Sequence, residues 1–236
     1  MRLSIVLKRA ALGAAVVTCA ACALLAGCGS DETSPGASDD AAANGDAGAL
    51  PENDGGKFSD GGCIKQAGPK QGTVAVSRSR PNVTGGKPWA TPENARAVDE
   101  MFASATLGEG EETEEIRITD FGFRVPTSAR ITGIVVQLKR QAPQAGVVDG
   151  LIGLVYAGER PSSRPKFMST PWPDTIVGTH HYGYFEEDTW GDDVTANDVM
   201  QPDFGVTFFA KRQGDAGADE RTANVESILV NVFYCE

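Results

Sequence analysis

Residues 131–140 read Ile-Thr-Gly-Ile-Val-Val-Gln-Leu-Lys-Arg, and this stretch decides the fold class. β-Branched residues dominate it, and Ile134, Val136 and Leu138 recur at the two-residue spacing that places side chains on one face of a strand. Its start is apolar at successive positions, as in a strand covered on both sides. Working outward, Leu151 to Tyr156, Phe204 to Lys211 and Ile228 to Tyr234 repeat the theme, and Thr73 to Ser77 offers a first strand. Ile116 and Ile118 alternate with charged neighbours, then Phe121 and Phe123 resume the pattern one residue out of phase, which predicts a bulge between residues 119 and 122. His180 to Phe185 is a weaker strand, and helical spacing shows only in Pro92 to Met101, where Thr91 is placed to cap a short helix.

Gly, Pro, Asn and Asp punctuate these runs. Seven or eight such strands predict an all-β fold: a two-sheet antiparallel β-sandwich, jelly-roll-like, with an immunoglobulin-like arrangement as the alternative.

The first nine residues carry Arg2, Lys8 and Arg9 without an acid, Ala10 to Leu25 is apolar, and Leu25-Ala26-Gly27-Cys28 follows. This charged start, short apolar run and small-residue cleavage site form an export signal, and the apolar run falls short of the ~20 residues a spanning helix needs. The stretch resembles the signal and lipobox of bacterial lipoproteins. The resemblance implies that residues 1–27 are removed and that Cys28 becomes the lipidated first residue, anchored by two or three acyl chains. Residues 28–60 are rich in Gly, Ala, Ser, Asp and Asn and bury too little apolar surface to offset the entropy of ordering, so they are expected to be a flexible tether. Residues 61–236 then form the sandwich domain. Asp31 stands two residues beyond the position after Cys28 at which an inner-membrane retention signal falls, which points to the outer rather than the inner membrane.

Without its signal the chain has 18 Lys and Arg against 32 Asp and Glu, so nucleic acid is not an expected partner. Beyond residue 28 only Cys63 and Cys235 remain, at the two ends of the expected domain. In an oxidising compartment they are expected to form a disulfide rather than a metal site, since neither has a His or Cys near it.

Several landmarks recur together: Pro88-Trp89 with Pro92 and Asn94; Phe121-Gly122-Phe123-Arg124-Val125-Pro126; Ile131-Thr132-Gly133-Ile134-Val135-Val136; Trp190-Gly191; Asp203-Phe204-Gly205-Val206; and Ala223-Asn224-Val225-Glu226 before Ile228 to Tyr234. Residues 72–234 thereby resemble a β-sandwich module of phage and bacterial surface proteins. The resemblance implies a fold and carries no catalytic assignment.

The sequence contains no nucleophile elbow, zinc-protease helix, phosphate loop or dinucleotide fingerprint. His180 and His181 are adjacent and should face opposite ways in a strand, and Glu186, Glu187 and Asp188 read as a solvated turn, so no catalytic residue and no enzyme are expected. No cofactor or metal is expected either. Asp149, Asp192, Asp193 and Asp198 have the oxygen chemistry of a structural Ca²⁺ site without the spacing of a known loop. Trp89 and Trp190 have the look of core plugs at the sandwich ends. The aromatic residues Trp172, Tyr182, Tyr184 and Trp190 are nonetheless the candidate ligand-binding platform, with Trp172, between Pro171 and Pro173, the most exposed. The expected function is a membrane-anchored binding module outside the cytoplasm that recognises carbohydrate or cell wall; the alternative is a structural or protein-interaction subunit of the envelope.

Overall fold

Alternation of apolar and polar side chains builds nearly the whole domain. The computed structural model describes residues 63–81, 83–156, 160–175, 178–214 and 219–236. The stretches read as a signal peptide (residues 1–27) and a lipidated tether (residues 28–60) lie outside the described residues.

Among the described residues ten strands occur in chain order: β1 (Lys65–Gln71), β2 (Val74–Arg78), β3 (Ala103–Leu107), β4 (Glu115–Thr119), β5 (Arg130–Gln141), β6 (Val147–Tyr156), β7 (Arg160–Pro161), β8 (His180–Tyr182), β9 (Gly205–Arg212) and β10 (Arg221–Cys235). They form a two-sheet antiparallel β-sandwich. The first sheet has the order β1-β10-β5-β8, with β3 paired to the early part of β10, and the second has the order β2-β4-β9-β6-β7. Successive strands pass mostly from one sheet to the other, so sequence neighbours face each other across the core. Between the sheets pack Ile116 and Ile118 of β4, Ile134, Val136 and Leu138 of β5, Val206 and Phe208 of β9 and Ile228, Val230 and Val232 of β10. The side chains expected to share one face of β5 do so.

Bulges interrupt this alternation in β1, β6 and β10, the first between Ala67 and Lys70. In β6 the register shifts between Asp149 and Leu151, so Val147 and Asp149 face the core before it and Ile152, Leu154 and Tyr156 after it. β10 shifts likewise between Val225 and Ser227, and again opposite β5 at Phe233 and Tyr234.

Some local expectations are corrected. Phe121 and Phe123 belong to no strand: Asp120 and Gly122 take left-handed backbone angles, and both rings turn in to pack edge-on against Phe204. The helix after Thr91 is a single 3-10 turn, Pro92–Ala95. Thr91 is itself left-handed and does not cap it; its hydroxyl donates to the Phe102 carbonyl instead. An α-helix occurs at α1 (Ala196–Met200), where Thr195 and Asp198 form a reciprocal capping box.

Cys63 and Cys235 form the expected disulfide, joining the start of β1 to the end of β10 across a sequence separation of 172. Closing so long a loop restricts the unfolded chain by about 4–5 kcal/mol in the loop-entropy picture. The double variant Cys63→Ser/Cys235→Ser is therefore expected to unfold at a clearly lower urea midpoint, with a steeper slope because the uncrosslinked denatured chain exposes more surface. An unchanged midpoint would remove the bridge from the stability account.

Candidate functional site

Three of the four residues expected to form an aromatic platform are buried: Trp172 and Tyr182 are 3% exposed and Trp190 is fully enclosed. The proline-flanked Trp172 is held inside by its neighbours. Its backbone N–H donates to Val147 O, and Ala142 N–H donates to Pro173 O, so the segment lies across the ends of β5 and β6. Its ring stacks on Phe208 at 5.9 Å between centroids. Trp190 is a core plug whose indole N–H donates to Ile134 O at 2.9 Å. Only Tyr184, 71% exposed, keeps the character expected of the platform.

Trp172 and Tyr182 converge on Asp149. The Trp172 indole N–H donates to Asp149 Oδ1 at 2.9 Å, and the Tyr182 hydroxyl donates to Oδ2 at 2.5 Å. The Met168 backbone N–H donates to the same Oδ2 at 2.8 Å. Arg140 Nε lies 3.0 Å from Oδ1, and neither member of this ion pair is more than 1% exposed. Arg140 belongs to β5 and Asp149 to β6, so the pair bridges the two sheets. Burial, then the Asp149 charge, pushes the Tyr182 hydroxyl far above its usual range, leaving it a permanent donor. Burial, then the Arg140 charge, lowers the pKa of nearby His180.

The acids considered for Ca²⁺ are mostly engaged in such contacts: Asp149 here, Asp192 with Ser163, and Asp198 in the helix cap. Among the described residues no group of three His, Cys, Asp or Glu side chains is placed to hold a metal. His181 and His180 face opposite sides of β8, as their adjacency requires.

Two concavities stand out among the described residues. A basin of about 610 Å³ lies beside the disulfide, lined by Arg130 together with Glu186, Glu187, Asp192 and Asp193. A groove of about 340 Å³ crosses the outer face of the second sheet. Its floor is set by register: Glu115 and Arg117 of β4, Thr207 and Phe209 of β9, and Leu151 and Gly153 of β6 all face outward, because their neighbours Ile116, Val206, Phe208 and Ile152 fill the core. Arg80, Pro81 and Val83 wall one side, and Pro161, Ser162 and Pro165 the other.

The groove is the stronger candidate because it holds an unmet polar group. Thr207 is 4% exposed, and its hydroxyl has no hydrogen-bond partner. No atom lining the basin is in that position among the described residues. Buried polar atoms are almost always paired, so a lone hydroxyl in a groove floor is a place for a ligand atom. Gly153 keeps the floor low: a methyl group there would meet nothing nearer than Ser162 Oγ at 3.4 Å and would stand in the groove. Phe209 is wedged, with the Arg80 guanidinium 3.6 Å from its centroid and Gly150 so close that a Cβ would fall 2.0 Å from the ring. Arg80 also pairs with Glu112 and Arg117 with Glu115, so the charges near the groove balance.

Sequence reading missed this site. The alternation of Ile116 and Ile118 with Glu115 and Arg117 marked an outward polar face, but nothing marked Thr207 as buried or Gly153 as a floor.

No family model matches the chain, and no curated protein matches it. Among solved structures it is similar to the N-terminal cellulose-binding domain of Cellulomonas fimi β-1,4-glucanase C, at 12% identity and a TM-score of 0.31, over 66% of this chain and 86% of that one. It is also similar to an arabinose-bound MgGH51 α-L-arabinofuranosidase, at 12% identity and a TM-score of 0.32, over 72% of this chain but only 26% of that one. Similarity at this level bears on neither ligand nor site.

Removing one partner of a buried ion pair strands the other, at a cost of about 3–5 kcal/mol. Asp149→Ala is expected to lose stability of that order in urea unfolding, whereas Asp193→Ala, at the open basin, should change it by less than about 0.5 kcal/mol. Equal effects would deny the ion pair its bridging role.

Proposed function

We propose that the chain is a lipid-anchored, extracytoplasmic, non-catalytic binding module whose ligand is a neutral polysaccharide held in the groove over Thr207, Gly153 and Glu115. The observation that carries the reading is the unpaired Thr207 hydroxyl in a groove whose neighbouring charges cancel. Such a floor offers donors and acceptors at close spacing without net charge, which suits the hydroxyls of a neutral sugar better than an ion. Proline and valine walls suit the C–H faces of sugar rings. The chain's net negative charge favours a neutral ligand over an acidic one. The anchor rests on the Leu25-Ala26-Gly27-Cys28 sequence, and two or more acyl chains on Cys28 would make attachment effectively permanent.

A protein-interaction role in the envelope is the second reading, and one observation favours it. The edge strand β2 exposes Val74 and Val76 on one face, with Arg78 at its end as its one charged residue.

Native gels cast with hydroxyethylcellulose, arabinoxylan or soluble starch separate the two. The full chain carrying Cys28→Ser should be retarded in at least one polymer, with Thr207→Val and Gly153→Ala each weakening retardation by about fivefold or more, roughly 1 kcal/mol. Mobility unchanged in every polymer sinks the carbohydrate reading and moves the function to protein partners at the β2 edge. Separately, the unsubstituted chain should sediment with membranes and Cys28→Ser should not; equal sedimentation of both would refute lipid anchoring at Cys28.

A further inference from the structure

We propose that the outer face of the first sheet carries a second binding surface for the same class of ligand, a neutral hydroxyl-rich polymer, so that one chain engages polymer on both sides of the sandwich. This rests on the carbohydrate reading of the groove and extends it to the opposite face.

Register builds the surface. Leu229 of β10 pairs with Gln71 of β1 on one side and Gln137 of β5 on the other, and Gln137 pairs with His181 of β8. Their neighbours Ile228, Val230, Val136, Leu138 and Tyr182 face the core, so Gln71, Leu229, Gln137 and His181 form one outward row across four strands. Two amides and an imidazole around a leucine make a polar, uncharged row, because burial lowers the His181 pKa and keeps the ring neutral at neutral pH.

Two polar atoms on this face lack partners. Asn231, one rung along β10, is fully buried; its Oδ1 accepts a hydrogen bond from Gln66 Nε2 at 2.6 Å, but its own Nδ2 donates to nothing. His181 Nδ1 is likewise buried and unpaired. Unmet donors and acceptors beside an apolar side chain are the complement of a sugar, which brings hydroxyls on its edge and C–H groups on its face.

An exposed aromatic residue follows β8. After β8 the chain turns back over Gly133 of β5, where a Cβ would lie 2.4 Å from the Tyr184 carbonyl oxygen. Glycine is therefore required there, and Phe185 packs against Phe233 at 6.0 Å. This fold-back sits four residues along β5 from Gln137, and the Tyr184 side chain there is exposed. Because the two outer faces look away from each other, a second site would let one molecule join neighbouring polymer strands, with the gain in avidity that linked sites give.

Calorimetric titration of the full chain carrying Cys28→Ser with cellohexaose, xylohexaose and maltohexaose tests this. With at least one of them, two sites per chain are expected. Thr207→Val should weaken one site by about fivefold or more and leave the other unchanged, Gln137→Ala/His181→Ala should do the reverse, and the combination should weaken both. Gln137→Glu, which keeps the side chain's size and adds a charge to the row, should weaken the second site alone by about tenfold or more. A single site in the unsubstituted chain that Thr207→Val weakens overturns the second surface and leaves the groove standing. A single site that Thr207→Val leaves intact overturns both the two-sided proposal and the groove, and no heat with any of the three sugars overturns the carbohydrate reading with it.

Discussion

The buried ion pair of Arg140 and Asp149 is the constraint on which the rest of the domain depends. Two charges enclosed between sheets keep their desolvation cost unless every remaining valence is met. Here the Trp172 indole, the Tyr182 hydroxyl and the Met168 backbone N–H meet the carboxylate. These donors come from the segment between β7 and β8 and from β8 itself, so the long connection that leaves the second sheet and returns to the first is ordered by what Asp149 requires. Burial of Trp172 and Tyr182 is a consequence of that demand, and it explains why two aromatic residues suited to a sugar platform are unavailable for one.

The pair also reaches the surface through a single residue. The Asp149 carboxylate can point inward only because β6 changes phase at the bulge, and the bulge residue, Gly150, is where the Phe209 ring packs. Beyond it Leu151 and Gly153 face outward and complete the groove floor beside Thr207. Without the phase change, Ile152 and Leu154 would face solvent. Core electrostatics and ligand surface are thus set by the same irregularity, and a substitution at Gly150 should disturb both.

The strands that were legible are those whose alternation is regular: β5, β9, the later parts of β6 and β10, β4 and β2. The disulfide was legible because only two cysteines remain past residue 28 in a chain read as exported. β1 and β3 were not, since Lys65–Gln71 is polar on both faces and Ala103–Leu107 packs with small side chains, and neither gives an apolar period. The run from Phe121 to Phe123 deceived for the opposite reason: two left-handed residues imitate the phase shift of a bulge while taking the chain out of the sheet. The candidate site was the least legible part. Aromatic residues in loops suggest exposure, yet indole and phenol groups are also the donors a buried carboxylate recruits, and composition does not separate the two uses. Thr207 carries no signal of its own; its meaning comes from register and from the walls that Arg80, Pro81 and Val83 and Pro161, Ser162 and Pro165 raise around it.

Backbone amide shift mapping by NMR, with hydroxyethylcellulose, arabinoxylan or starch oligosaccharides added to the full chain carrying Cys28→Ser, asks most directly whether the outer sheet faces are where ligand sits. The account predicts that the amides of Arg117, Gly153 and Thr207 shift, together with those of Gln137 and His181, while Asp149 and Trp190 in the core hold still. Shifts confined to the basin around Glu186 and Asp193, or no shifts with any sugar, would contradict it.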